Sequence, residues 1–102
     1  MDSKRIAVEI ISQLGGNKFI VMTGAKQFIS LEKGGVIFKL PSNFAKNGIN
    51  LIKIELDPSD TYNLYFFKSR GTSLKEIDNH TSVYCDQLQR IFTEITGLDT
   101  HL

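Results

Sequence analysis

Between Asn17 and Asn79, apolar stretches of about strand length are separated by Gly, Pro, Asn and Asp, and one amphipathic run flanks this segment at each end. Such a pattern predicts an α+β domain, a mainly antiparallel sheet of about five strands with N-terminal and C-terminal helices packed on it. Ile6, Ala7, Ile10, Ile11, Gln13 and Leu14 fall on one helical stripe that stops at Gly15-Gly16, so the first helix is expected from Ser3 to Leu14 with Asp2 or Ser3 as its cap. Phe19-Ile20-Val21-Met22 is apolar on both faces and reads as an interior strand ending in a turn or bulge at Thr23-Gly24-Ala25-Lys26. Gln27 to Leu31 and Val36 to Leu40 form the next two candidate strands. Glu32-Lys33-Gly34-Gly35 is the hairpin turn between them.

Pro41 to Asn50 lacks apolar periodicity and is expected to be an exposed loop tethered by Phe44. Leu51 to Leu56 alternates, with Ile52, Ile54 and Leu56 on one side. Asp57-Pro58-Ser59-Asp60 has the composition of a turn, and Thr61 to Lys68 returns as a β-branched and aromatic strand. Ser73-Leu74-Lys75-Glu76 matches a capping box, but Asp78-Asn79 breaks the periodicity a helix would need, which favours a strand over Ser73 to Asn79. Val83, Tyr84, Leu88, Ile91, Phe92 and Ile95 make the stripe of a last helix, capped at Thr81 or Ser82 and terminated by Gly97. No internal repeat is evident.

At 102 residues, with 41% hydrophobic residues and ten aromatics (seven Phe, three Tyr), the chain is expected to be one globular domain, 1–102, able to fold without disulfides or metal. A single cysteine, Cys85, excludes an internal bridge and a Cys-rich zinc site, and reads as a small buried or half-buried helix residue with an inert thiol. Glu9 interrupts any signal-peptide core, and no run approaches the roughly 18 apolar residues of a membrane span, so the expected setting is a reducing cytoplasm with no membrane partner. The net charge of +1 means that any polyanion must be met by a local patch.

Most of the chemistry-bearing residues have structural explanations. Gly15-Gly16-Asn17-Lys18 and Gly24-Ala25-Lys26 place glycines beside lysines, yet the spacing of a phosphate-binding P-loop is missing, and a helix cap and a turn account for them. His80 and His101 have no partner at metal-ligand spacing, and His80 is assigned a capping or surface role. Asp57 or Asp60 with Glu76 is the best carboxylate grouping, but it lacks a suitably placed lysine for hydrolytic chemistry. No cofactor and no catalytic residue is therefore expected.

One constellation carries functional weight. If Ile52, Ile54 and Leu56 face the core, strand parity puts Lys53 on the opposite face, with Lys39 beside Ile37 and Tyr65 beside Phe67 on the outer faces of their strands. Basic residues interleaved with aromatics on a sheet surface hold single-stranded DNA or RNA, by stacking on the rings and neutralising phosphates; if helices cover both faces of the sheet, Tyr65 and Phe67 are core residues instead. Lys68 and Arg70, at the end of the hairpin, extend the expected patch.

The segments Leu14-Gly15-Gly16-Asn17-Lys18-Phe19, Met22-Thr23-Gly24-Ala25-Lys26 with Phe28, Arg70-Gly71-Thr72-Ser73, Val83-Tyr84, Phe92-Thr93 and Thr96-Gly97-Leu98 together make the chain resemble small uncharacterised proteins of phages, prophages and other mobile elements. That resemblance covers most of the chain and implies a setting, the cytoplasm of a bacterial host, with no catalytic residues. Two function classes follow as expectations. One is a non-enzymatic accessory protein binding nucleic acid through Lys39, Lys53, Tyr65, Lys68 and Arg70; the other is a protein-binding module directed at a host or phage protein.

Overall fold

The computed structural model describes residues 3–41 and 44–98. The elements run α1 (Ser3–Leu14), α2 (Asn17–Thr23), β1 (Lys26–Ser30), β2 (Gly35–Lys39), β3 (Leu51–Leu56), β4 (Tyr62–Arg70), β5 (Ser73–Val83) and α3 (Leu88–Thr96). Short 3-10 turns at Lys46–Gly48 and Cys85–Gln87 precede β3 and α3. The five strands form one antiparallel meander in the order β1-β2-β3-β4-β5, so the expected α+β architecture is what the chain adopts.

The helix α1 has the expected bounds; of its two expected caps, Asp2 lies outside the described residues and Ser3 is already the first helical residue. Its stripe, Ile6, Ala7, Ile10 and Leu14, is buried against the sheet. Hairpin chemistry sets the strand ends. Gly35 can only be glycine, because a Cβ there would stand 2.3 Å from the Ile54 carbonyl oxygen of the neighbouring strand. The Asp57–Asp60 turn closes as expected, with the Asp57 N–H donating to the Thr61 carbonyl at 2.8 Å and the Asp57 carboxylate accepting from the Ser59 N–H and hydroxyl.

Phe19 to Met22, expected as an interior strand, is helical instead. A four-residue apolar run fits a strand or a helix turn equally well, and burial decides between them: Phe19 and Thr23, four apart, are buried while Val21 is 80% exposed. Gly24, at φ 72°, ends α2 with its N–H on the Ile20 carbonyl. The Thr23 hydroxyl donates to the Phe19 carbonyl at 2.7 Å and accepts from the Ala25 N–H. Helix α3 ends in the same way. Gly97 sits at φ 75° with its N–H on the Thr93 carbonyl, and the Thr96 hydroxyl donates to the Phe92 carbonyl at 2.7 Å and accepts from the Leu98 N–H. Phe-x-x-x-Thr-Gly is thus a helix terminator used twice, a local repeat that the hydrophobic pattern does not reveal. Both its phenylalanines enter the core, with ring centroids 5.2 Å apart, and both flank Phe38 of β2.

Three further expectations are corrected. Strand β5 continues past Asn79 to Val83, so residues 80–83 are spent in the sheet, and α3 begins at Leu88 rather than after a cap at Thr81 or Ser82. Gln87 caps the start of that turn, its side-chain oxygen accepting from the Tyr84 N–H at 3.1 Å. The connection before β3 is held by Ala45 and Ile49, both buried, whereas Phe44 is exposed. Cys85 is exposed on the 3-10 turn and not a half-buried helix residue, which removes the structural reason for an inert thiol.

Candidate nucleic-acid interface

All three helices pack on one side of the sheet, where Val36, Phe38, Ile52, Ile54, Leu64 and Phe66 join the core residues of α1, α2 and α3. Among the described residues no helix covers the opposite side. Strand register arranges that open face in rows, because directly paired residues of antiparallel strands point the same way. One row runs Ile29, Ile37, Lys53, Tyr65 and Asn79 across the five strands. The next runs Lys26, Lys39, Leu51, Phe67 and Glu76.

At the centre of these rows the Lys53 Nζ lies over the Tyr65 ring, 5.7 Å from its centroid. Tyr65 and Phe67 present nearly parallel rings, 19° apart in plane, with centroids at 6.5 Å. Two rings side by side in this attitude form neighbouring platforms, not a closed stack. Both are half-buried by their strand neighbours and keep area toward solvent. The Glu55 carboxylate sits 3.9 Å from the Lys53 ammonium, a half-exposed pair of the sort worth at most about 1 kcal/mol and therefore open to exchange for another anion.

Beyond Phe67 the face ends in a polar cleft of about 230 Å³ lined by Lys26, Lys39, Leu40, Pro41, Asn50 and Ser69. Asn50 shapes it. The Asn50 side-chain amide donates to the Ser69 carbonyl at 2.8 Å and its oxygen accepts from the Ser69 N–H at 2.7 Å, adding a side-chain rung to the β3–β4 ladder one residue beyond Leu51.

Of the residues expected in the patch, Lys39, Lys53 and Tyr65 share the open face. Lys68 and Arg70 do not. They stand an odd number of residues from Tyr65 and so share the parity of Leu64 and Phe66, toward the helix side. The Lys68 stem lies along the Lys46–Gly48 turn, close enough that a Cβ on Gly48 would meet Lys68 Cε at 3.1 Å. Lys26 joins the face and Asn50 the cleft at its end, both unforeseen. The sequence places Lys26 at the end of a turn or bulge, and the irregularity after it, where Gln27 takes φ 56°, brings it into register with Lys39.

The other candidates are absorbed by the fold. The Gly15, Gly16 and Gly24 N–H groups are spent on the Ser12, Ile11 and Ile20 carbonyls, leaving them no free donor for a phosphate. His80 is a half-buried strand residue, not a cap, packed edge-on to Phe66 at 6.5 Å with Asp78 Oδ2 3.5 Å from its Nε2; His101 lies outside the described residues. Asp57 and Asp60 sit at one end of β4 and Glu76 pairs near its other end, so the carboxylates are kept apart. Among the described residues no three His, Cys, Asp or Glu side chains come together as a metal site. Hydrogen bonds from the Ser59 hydroxyl and N–H hold the Asp57 carboxyl below its usual pKa, and burial pushes the Tyr62 phenol above its own, but neither group lines the open face or the cleft.

The chain matches no protein-family profile, no curated protein and no solved structure. No described helix is long and apolar enough to cross a membrane.

Proposed function

We propose that the open sheet face binds single-stranded nucleic acid without catalysis, in the manner of a small accessory protein; the resemblance to mobile-element proteins supplies its bacterial, cytoplasmic setting. The observation that carries this reading is the coincidence of Lys53, Tyr65 and Phe67 on a face that no described helix covers. Bases stack on the two rings. Lys53, Lys39 and Lys26 neutralise the backbone that joins those bases, and the mode is tolerant of sequence because every base has a π face.

Fluorescence anisotropy with a short labelled oligonucleotide at two ionic strengths tests it. Binding is expected to weaken steeply with salt, and Tyr65→Ala to cost about 1–3 kcal/mol of affinity with an unchanged salt slope. Lys39→Gln with Lys53→Gln lowers the slope, whereas Lys68→Gln with Arg70→Gln, on the other side of the sheet, leaves it alone. Absence of binding at low salt by the folded protein removes the reading. A second reading, a protein-binding module, is favoured by Ile29 and Leu74, 60% and 58% exposed at the two edges of the same face, and takes precedence in that event.

A further inference from the structure

We infer that the cleft between Lys26 and Lys39 is a phosphate subsite, the place where the backbone of the bound strand is gripped beside the base on Phe67. For the identity of the ligand this rests on the nucleic-acid reading above; for the site itself it rests on three independent features of the sheet.

The first is a like-charge pair built into the register. Lys26 and Lys39 are direct cross-strand partners, an arrangement that costs stability because like charges face each other on one side of the sheet. The second is that no ion pair among the described residues compensates for it. Lys53 pairs with Glu55 and Arg90 with Glu94, and no described carboxylate lies within ion-pair distance of Lys26 or Lys39. An anion between the two ammonium groups relieves the repulsion that the fold leaves in place. The third is shape and donor chemistry. The two lysines border a cleft of about 230 Å³ that is also lined by the apolar Leu40 and Pro41 and the polar Asn50 and Ser69. Asn50 Nδ2 uses one hydrogen on the Ser69 carbonyl and, as a primary amide, has a second to give. The Ser69 hydroxyl makes no hydrogen bond among the described residues, although its backbone is locked by Asn50. Two ammonium groups, one amide hydrogen and one hydroxyl match the acceptor oxygens of a phosphate better than a carboxylate, which offers fewer oxygens to the same donors.

Position ties the cleft to the stacking surface. Lys39 and Phe67 share a row with Leu51 between them, and Ser69 follows Phe67 by two residues on the same face. A strand whose bases lie on Tyr65 and Phe67 therefore runs its backbone to the cleft by the direction the β4 side chains already mark.

The test uses inorganic phosphate and an oligonucleotide on the whole chain. In amide NMR, inorganic phosphate is expected to shift Lys26, Lys39, Asn50 and Ser69, with sodium chloride of the same ionic strength leaving them in place; equal shifts from chloride overturn the subsite. Phosphate should also raise the Tm of the wild-type protein and not that of Lys26→Gln/Lys39→Gln. Lys26→Gln alone should have a higher Tm than wild type in phosphate-free buffer, since it removes the unrelieved repulsion, and a lower one counts against the argument. For an oligonucleotide lacking a terminal phosphate, the double variant should reduce the slope of log affinity against log salt by about 0.7, the value for one phosphate of a single strand. A loss seen only with a 5′-phosphorylated oligonucleotide assigns the cleft to a strand terminus instead of the backbone. The two readings fail separately. If the oligonucleotide binds and Tyr65→Ala weakens it while the double variant keeps the full slope, the subsite falls and the stacking face stands; if phosphate binds the cleft and no oligonucleotide binds, the reverse holds.

Discussion

The two faces of the central strands β2, β3 and β4 are made from the same backbone and almost the same alphabet, yet they are finished differently. On the covered face Val36, Phe38, Ile52, Ile54, Leu64 and Phe66 have no exposed area. On the open face Ile37, Leu51, Tyr65 and Phe67 are half-buried, interleaved with Lys39 and Lys53. An antiparallel sheet with one solvated face usually alternates apolar with polar. Here the solvated face keeps four apolar or aromatic side chains at its centre. Two physical reasons could retain them, cross-strand pairing that stabilises the sheet or a surface that a ligand completes. They differ in what a substitution costs.

Changes on the covered face should have the largest effect. Phe38→Ala removes the ring that meets Phe19, Phe28 and Phe92 and is expected to cost about 3–5 kcal/mol, with Ile54→Ala at about 2–5 kcal/mol, measured by urea unfolding. If either costs under about 0.5 kcal/mol, the contrast between the faces collapses. Tyr65→Ala should cost the fold only about 0.2–1 kcal/mol, the scale of a cross-strand pair, against the 1–3 kcal/mol it takes from nucleic-acid affinity. A stability loss of the size seen for Ile54→Ala would make Tyr65 a structural residue and leave the open face without a distinct purpose.

The smallest effect lies on neither face. Asp57, in the turn joining β3 to β4, is held below its ordinary pKa of 3.8 by the Ser59 hydrogen bonds. A carboxyl whose folded-state pKa is depressed stabilises the fold above its unfolded-state pKa and loses that contribution as pH falls through the folded-state value. Asp57→Asn should therefore flatten the acid side of the stability profile below about pH 4 and leave the neutral side, and the difference between the two faces, nearly unchanged. A thermal melt series from pH 3 to 7 (~half-unit steps) reads this directly.

How far the faces are legible in sequence differs by strand. The alternation of Leu51 to Leu56 identifies both sides of β3, and the Pro-containing turn at Asp57–Asp60 carries that assignment to Tyr65 and Phe67. The same parity, followed three residues further, puts Lys68 behind the sheet; counting it into the patch followed its position at the hairpin end and not the direction of its side chain. A bulge near Lys26 is among the expectations, but hydrophobic pattern alone does not say that it pairs Lys26 with Lys39. In β5 two irregularities, between the partners of Tyr62 and Leu64 and between those of Phe66 and Phe67, break the alternation that would have declared the strand to Val83. The error at Phe19–Met22 had another cause. Four consecutive apolar residues carry no period, so the choice between strand and helix fell to tertiary burial and to the paired Thr-Gly terminators.

The hydrogen bond from Gln89 Nε2 to the Leu14 carbonyl, 2.8 Å long, joins residues 75 positions apart, and contacts of such separation are expected to form late in folding. Every strand pair in the meander links neighbours in sequence, so the sheet can zip up hairpin by hairpin at a low loop-closure cost, while the contact between the two terminal helices must wait for the largest loop. Gln89→Ala should then act mainly by speeding unfolding, and Leu64→Ala, within the β3–β4 hairpin, mainly by slowing refolding in stopped-flow measurements. A chain that docks its last helix late exposes the Phe92 side of the core first whenever the native state opens.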